Sequence, residues 1–395
     1  HLSIRRQRQM CIRDSPLMAV RHGETVLGMW WDPLQKWDGE HSKPSPIFAS
    51  PNTLFGQENH LMGLMVPPVP EWTEENELVA RKPLMLRPGQ VISVEATLFL
   101  LASEDVLDAV DLYCKTVGVP EPMALPEQTP EREIQFSTQA YLDTLWLPEQ
   151  EKWHNTLEHD PWPISVNPMY IKQLWLASHL VPDANAAAAC RERAEKYMSR
   201  IGGPAGADLA FHLGGVRQWL NGLQGQAETQ MASQGEDGSW RFSPTAETKE
   251  LGAPGEEALG LNAQQALTIL RFARMTGDAR ALERGLKALG YMRKFRVPRA
   301  AQVWEVPVHA PDILAAALAC EAYAEGYEAT GDSQWLGHAV RWAKAGLPFL
   351  YFWNDPDKPW MRYASIPVFG STFWMHSWFG RAVQWNGLDY GRALF

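Results

Sequence analysis

Apolar and polar residues alternate along "QVISVEATLFL" (90–100), which predicts a half-buried strand entered through the turn "LRPGQ" (86–90). Shorter runs of the same kind precede it: "PLMAVRHG" (16–23), "TVLGMWWD" (25–32), "HLMGLMVPP" (60–68) and "ELVARKPLMLRPG" (77–89). Pro and Gly punctuate them at intervals suited to an antiparallel β-sandwich over 16–101. In "SEDVLDAVDLYCKTVG" (103–118) the apolar positions shift to Val106, Leu107, Val110 and Tyr113, a helical spacing, with Ser103 as the expected cap. A Pro-rich stretch (119–131) follows, so 102–130 reads as a helical linker.

From residue 131 the period is helical almost throughout. The expected helices are 131–146, 168–180, 184–200, 207–233, 256–275, 279–295, 311–329, 333–346 and 374–394. Within them "LRFARMTGDARALERGLKAL" (270–289) resembles "AYAEGYEATGDSQWLGHAVRWA" (322–343). Their Thr-Gly-Asp tripeptides start at Thr276 and Thr330, 54 residues apart (330 − 276). In each, Gly suits the left-handed end of one helix and Asp the cap of the next, so the unit is a helical hairpin repeated in tandem.

Loop lengths then orient the hairpins. Turns at the Thr-Gly-Asp end are short, whereas the connections near 234–255, 296–310 and 347–373 are long. Helices that run alternately up and down carry all the long connections on one face, where function concentrates. Helices entered from that face point their partly positive amino ends toward it. "ALGLNAQQAL" and "ILAAALACEA" are rich in small residues, as a crowded inner ring requires. The partners 279–295 and 333–346 mix charge with apolar residues, as an outer ring does.

Composition narrows the class. Across 395 residues, 45% hydrophobic and 21% charged content reads as globular, and the length suggests more than one domain. A net charge of −10 argues against a nucleic-acid partner. No apolar run is long enough to span a membrane. Cys11, Cys114, Cys190 and Cys320 lack metal-ligand spacing, so neither a zinc site nor a disulfide framework is expected. The 18 tryptophans exceed ordinary usage, and large rings serve cores as well as the C–H faces of sugars. At the amino end, "RRQRQMCIRDS" (5–15) resembles translated adapter read-through, and 1–15 is expected to be non-native. At the other end, "WNGLDYGRALF" stops inside an expected helix.

Tandem hairpins, two rings and long loops on one face resemble the (α/α) six-hairpin toroids. "QGEDGSWRF" (234–242) strengthens the likeness: Gln234-x-x-x-Gly238-x-Trp240 is similar to the QW signature of squalene-type cyclases and to the "DGSW" turns of toroid glycosidases and pectate lyases. The physical reading of this motif is a tight turn at Asp237-Gly238 with Trp240 packed over the gap between hairpins. A β-sandwich domain (16–101) joined to such a toroid (131–395) resembles carbohydrate-active families: six-hairpin glycoside hydrolases and phosphorylases, and some polysaccharide lyases. No family-specific catalytic signature is present. Nine expected helices against the twelve of a full ring imply a toroid incomplete at its carboxyl end.

The resemblance implies a carbohydrate substrate handled on the long-loop face. Glycoside cleavage uses two carboxyl groups across the bond. Glu305 stands first, between Trp304 and Val306-Pro307, with pairing to Arg299 as its ordinary alternative. Glu256 is the preferred second carboxylate, or an acid at a helix start together with Glu257. Asp312 after Pro311 fits a first helical turn, Pro at the first position and the acid at the second, as well as catalysis. His309 reads as a base or hydroxyl donor, or as a satisfied loop histidine. Trp240, Trp304, Trp360, Trp374 and Trp378 are the candidates to stack on sugar rings, with His376 interrupting "STFWMHSWFG" (371–380). Arg362 and Tyr363 would serve a uronate substrate in a lyase, and Arg381 is a further carboxylate partner.

Glycoside hydrolysis is therefore the first expectation. A lyase or sugar isomerase on the same fold is the second, and a non-catalytic glycan-binding protein the third. Terpenoid cyclisation is disfavoured, since the QW-like motif is single and no DxDD motif occurs. No nucleotide-binding signature appears, so no organic cofactor is expected; no resident metal is expected either, and calcium is an option only for the lyase reading. Compartment and oligomeric state stay open.

Overall fold

The computed structural model describes residues 16–37, 44–49, 57–65, 86–121, 129–155, 163–198, 200, 210–211, 215–304, 306–353, 364–366, 368 and 384–395. In chain order the elements are β1 (Leu17–His22), β2 (Thr25–Trp30), β3 (Ser45–Ala49), β4 (Leu61–Met65), β5 (Thr97–Ala102) and α1 (Asp108–Thr116). Then come α2 (Pro130–Gln139), a π-helical turn (Ala140–Thr144), β6 (Trp146–Leu147), β7 (Lys152–Trp153), α3 (Pro168–Leu180), α4 (Ala184–Met198) and α5 (Val216–Ser233). Four longer helices complete the set with one short one: α6 (Leu259–Thr276), α7 (Ala279–Met292), α8 (Ile313–Thr330), α9 (Ser333–Gly346) and α10 (Gln384–Leu394). The protein is thus mostly helical with a small antiparallel sheet. It divides into two compact units, residues 123–228 and the remainder.

In the 123–228 unit, α3 and α4 form an antiparallel pair over a core of Trp153, Ile171, Leu174, Trp175 and Tyr197. Trp153 is wholly buried, and its indole N–H donates to the Tyr141 carbonyl at 2.7 Å. Here tryptophan supplies core area together with one satisfied polar atom.

In the larger unit, the sheet order is β1-β2-β5, antiparallel, with β2 central. The two-residue period sends Leu17 and Val26 to one face and Met18 and Met29 to the other. Ala109, Val110 and Tyr113 of α1 and Phe352 cover the first face. Met62 and Leu64 of the β3–β4 hairpin pack on the second. Gly28 is required at its place, because a Cβ there would fall 2.2 Å from the Phe99 ring.

Two expectations shift in this region. The ladder is realised only over Thr97–Ala102; residues 91–96 are tied instead to the 31–37 segment by Ser93 N–H to the Trp37 carbonyl and by the Gln35 amide, which pairs both ways with the Glu95 backbone. Ser103 does not cap α1: its hydroxyl accepts from Asp105 N–H and donates to Asp108, and the cap position is Leu107. Asp105 and Asp111 pair with Arg341 and Lys344 of α9, which fastens α1 to the helical part.

The helical part is a row of hairpins. Both Thr-Gly-Asp turns have the same construction. Gly277 (φ 74°) and Gly331 (φ 70°) end α6 and α8 in the left-handed region, and Asp278 and Asp332 cap α7 and α9 through Ala281 N–H and Gln334 N–H. Thr276 and Thr330 each donate back to the carbonyl four residues earlier, at 2.7 Å. No atom stands within 4 Å of a Cβ placed on Gly331, so the cost of Gly331→Ala is conformational alone. We expect a loss of about 1 kcal/mol in a denaturant titration.

Helix α8 packs against α6, α9 and α10, and buried Ala315, Ala316, Ala317, Ala319 and Ala322 keep it slim enough to do so. By contrast, α7 buries one stripe, Ala281, Gly285, Ala288, Leu289 and Met292. Gly285 admits Leu270, and Gly326 admits Leu289. Between α6 and α8 lies an ionic seam. Glu321 and Glu325, each with a side chain only 10% exposed, are held by Arg271, Arg274 and Arg392. Arg271 serves both glutamates, so Arg271→Ala leaves two shielded carboxylates short of a donor. The expected loss is about 1–3 kcal/mol by chemical denaturation, moderated by the other two arginines.

Candidate functional site

The three long connections follow α5, α7 and α9, and their described parts interlock. The first (residues 234–258) and second (293–312) are joined by Val308 N–H donating to the Leu251 carbonyl at 2.8 Å and by a shared core of Phe242, Leu251, Ala258, Ala300 and Val308. The second and third are joined by an Asp312–Val368 bridge and by packing of Val306, Ala310 and Val368.

The first connection opens with the QW-like segment. Gln234 donates to the carbonyls of Gly238 and of Arg284 in α7, and thereby staples the loop to the neighbouring helix. Gly238 (φ 91°) lies against the Lys287 backbone, where a Cβ would stand 2.9 Å from the carbonyl oxygen. Trp240 is buried. Its indole donates to Gln230 and Ser233 at the end of α5, while its backbone is clamped by Asn262 of α6. The motif is a structural tie, as its turn chemistry implies, and Trp240 offers no open face to a sugar.

Helix α6 begins at Leu259 and not at 256, because the backbone of Glu256 is paired with Phe242 after a turn at Gly255 (φ 82°). The two glutamates ahead of it then diverge. Glu257 is held by Arg241 and Lys294, whose ion pairs lower its pKa together with the Tyr291 hydroxyl, Lys294 contributing most. Glu256 turns toward the second connection. One of its carboxylate oxygens is shielded from water without a hydrogen-bond partner and lies 3.9 Å from Nδ1 of His309. That separation suits an ion pair and is too long for a hydrogen bond. Gly252 makes the approach possible: a Cβ there would meet the Glu256 oxygen and a Val308 methyl at 2.7 Å each. Nothing in the sequence pattern marks Gly252.

The chain matches no protein-family model and no curated protein.

Trp304 lies four residues after Ala300 of the shared core and is 51% exposed, an uncommon setting for so large an apolar group. Asp312 has the opposite environment. It is the N-cap of α8, not its second residue, and Pro311 precedes the helix; its carboxylate accepts from Ala315 N–H at 2.7 Å and from Ala301 N–H at 3.0 Å. Full burial pushes its pKa up to about 7, against the lowering effect of those backbone donors. Asp312 therefore ties the second connection to the helix start and has no solvent access.

Glu305, Trp360, Arg362, Tyr363, Trp374, His376, Trp378 and Arg381 lie outside the described residues. Arg299, the expected alternative partner of Glu305, has no carboxylate partner among the described residues. Among those residues no cluster of three or more His, Cys, Asp or Glu is placed to hold a metal ion, and no helix is long and apolar enough to cross a membrane.

Proposed function

We propose that the junction of the three connections is the active centre of a carbohydrate-processing enzyme, a glycoside hydrolase built on an (α/α) toroid with a sandwich-like amino-terminal part. The observation that carries this reading is the Glu256–His309 pair: a carboxylate with one shielded, unpartnered oxygen beside an imidazole, on two loops locked together. In this mechanism Glu256 exchanges a proton with the glycosidic oxygen, and His309 holds it in place or relays the proton. Glu305 supplies the second carboxyl group, and the exposed indole of Trp304 takes the C–H face of the sugar. Support for the toroid comes from the tandem hairpins, the Ala-rich α8 between its neighbours, and the gathering of the long loops.

The test is release of reducing ends from a panel of neutral and uronic polysaccharides, by the native chain and by Glu256→Gln. Cleavage of at least one glycan that is lost in the variant supports the reading. Absence of cleavage across the panel, or full activity in the variant, overturns it. Products that carry a new conjugated double bond would instead mean that His309 abstracts a carbon-bound proton, as in a lyase.

A further inference from the structure

The loop that carries His309 opens on "RKFRVPR" (293–299), four cations without an acid in a chain of net charge −10. The carbonyl end of α7 accounts for part of this run, because basic groups complement a helix carboxyl terminus. Arg293 and Lys294 stand there, and Lys294 also pairs with Glu257. Arg296 turns one amino group back to the Arg293 and Phe295 carbonyls, at 2.7 and 3.1 Å. Arg299 lies past the reach of the helix. Like Arg293 and Arg296, it has no carboxylate partner among the described residues.

Arg299 is also the most constrained of the set. Its side chain is exposed, yet neighbours crowd it enough for desolvation to lower its pKa. Its carbonyl accepts from Gly260 N–H at 2.8 Å, and its backbone is bridged to Pro311. The next residue, Ala300, turns into the core with φ 65°, a left-handed value that alanine adopts only under constraint. Asp312 supplies that constraint through Ala301 N–H, and Gly260 leaves space for it, since a Cβ there would stand 2.4 Å from the Ala301 nitrogen. Strained backbone of this kind gathers at ligand clamps.

The basic run is anchored at both ends beside the junction. Lys294 meets Glu257, next to Glu256, and Pro311 stands two residues after His309. The local potential is positive despite the acidic chain: burial lowers the pKa of His338 first, and the charges of Arg293, Arg341 and Arg296 lower it further.

We propose that Arg299, with Arg293 and Arg296 preceding it, is a subsite for the carboxylates of an acidic polysaccharide, so that the glycan handled at the loop junction is a polyuronate. This deepens the carbohydrate reading above and rests on it. A guanidinium takes a carboxylate through two parallel hydrogen bonds, and several along one loop suit a repeating anion.

Isothermal titration calorimetry would use the full native chain and Glu256→Gln, with hexamers of galacturonate, glucuronate and guluronate as probes. Their carboxyl-reduced neutral counterparts, a sulfated hexasaccharide and an oligothymidylate are the controls. At least one hexauronate is expected to bind, and its reduced counterpart at least tenfold more weakly. Arg299→Gln should weaken uronate binding about tenfold, as loss of a charge-assisted pair implies. Arg299→Lys, which keeps the charge and loses the fork, should fall between. Arg280→Gln makes the same charge change at the opposite end of α7 and should bind like the native chain. The proposal is overturned if no hexauronate binds, if a reduced counterpart binds equally, or if only the sulfated or nucleotide control binds. It is equally overturned if Arg280→Gln weakens binding as much as Arg299→Gln. The two readings fail separately. Turnover of a neutral glycan that is lost in Glu256→Gln, without uronate binding, would keep the junction and remove the subsite. Uronate binding that needs Arg299, with turnover intact in Glu256→Gln, would do the reverse.

Discussion

Asp312→Ala is expected to lower the stability of the larger unit by about 2–4 kcal/mol at pH 6. Two buried donors, Ala301 N–H and Ala315 N–H, lose their acceptor at once, and each stranded donor costs on the order of 1–3 kcal/mol. The loss includes the ordinary value of an N-cap, about 0.5–2 kcal/mol. It is partly offset because a carboxylate that resists ionisation is removed as well. The effect carries a pH signature. In the folded chain Asp312 titrates near 7, against about 3.9 for an unfolded aspartate. The folded state thus binds this proton more tightly, so the contribution is complete below pH 4, declines as pH rises, and is gone above about 7. Urea midpoints of the native chain and Asp312→Asn, measured from pH 5 to 8, should show the native advantage shrinking with pH. A difference that stays flat or grows would contradict the burial of this group.

The second large effect is catalytic. Glu256→Gln keeps the shape of the side chain and removes its proton exchange, so kcat is expected to fall about 10²–10⁴-fold, the usual range for a general acid or base. KM should change little, because Gln still fills the space bounded by Gly252 and Val308. His309→Ala should cost less and displace the pH optimum, since His309 touches the carboxylate and does not replace it. A Glu256→Gln variant that loses affinity and keeps kcat would move the group from proton transfer to binding.

The local parts of this architecture were legible before any coordinates. Helix α3 was expected at 168–180 and α9 at 333–346, where both occur, because an apolar stripe and a terminal Asn, Pro, Asp or Gly specify a helix without help from distant residues. The two Thr-Gly-Asp turns were readable for the same reason: one residue needs positive φ and the next offers an acceptor to the following turn. At two places where prediction missed, a longer-range partner intervened. The alternating 90–96 segment pairs with the 31–37 loop through Gln35, and Glu256 stays out of α6 because Phe242 takes its backbone.

Tryptophan illustrates the limit. Trp153, Trp240 and Trp342 are buried and Trp304 is exposed, yet each stands in an equally ordinary stretch of chain. Composition announced an excess of rings and could not divide them between core and surface.

By itself, then, the amino-acid sequence determined where several of the helices run, the caps at the two Thr-Gly-Asp turns, the hairpin repeat and the contrast of short and long connections, all of which depend on neighbours a few residues away. Tertiary structure alone decided that Asp312 is a buried cap, that Glu256 meets His309 from 53 residues away (309 − 256), and that Gly252 leaves room for the meeting. Such encounters arise where irregular loops are pressed together by the cores beneath them, and irregular loops have no period from which their partners can be read.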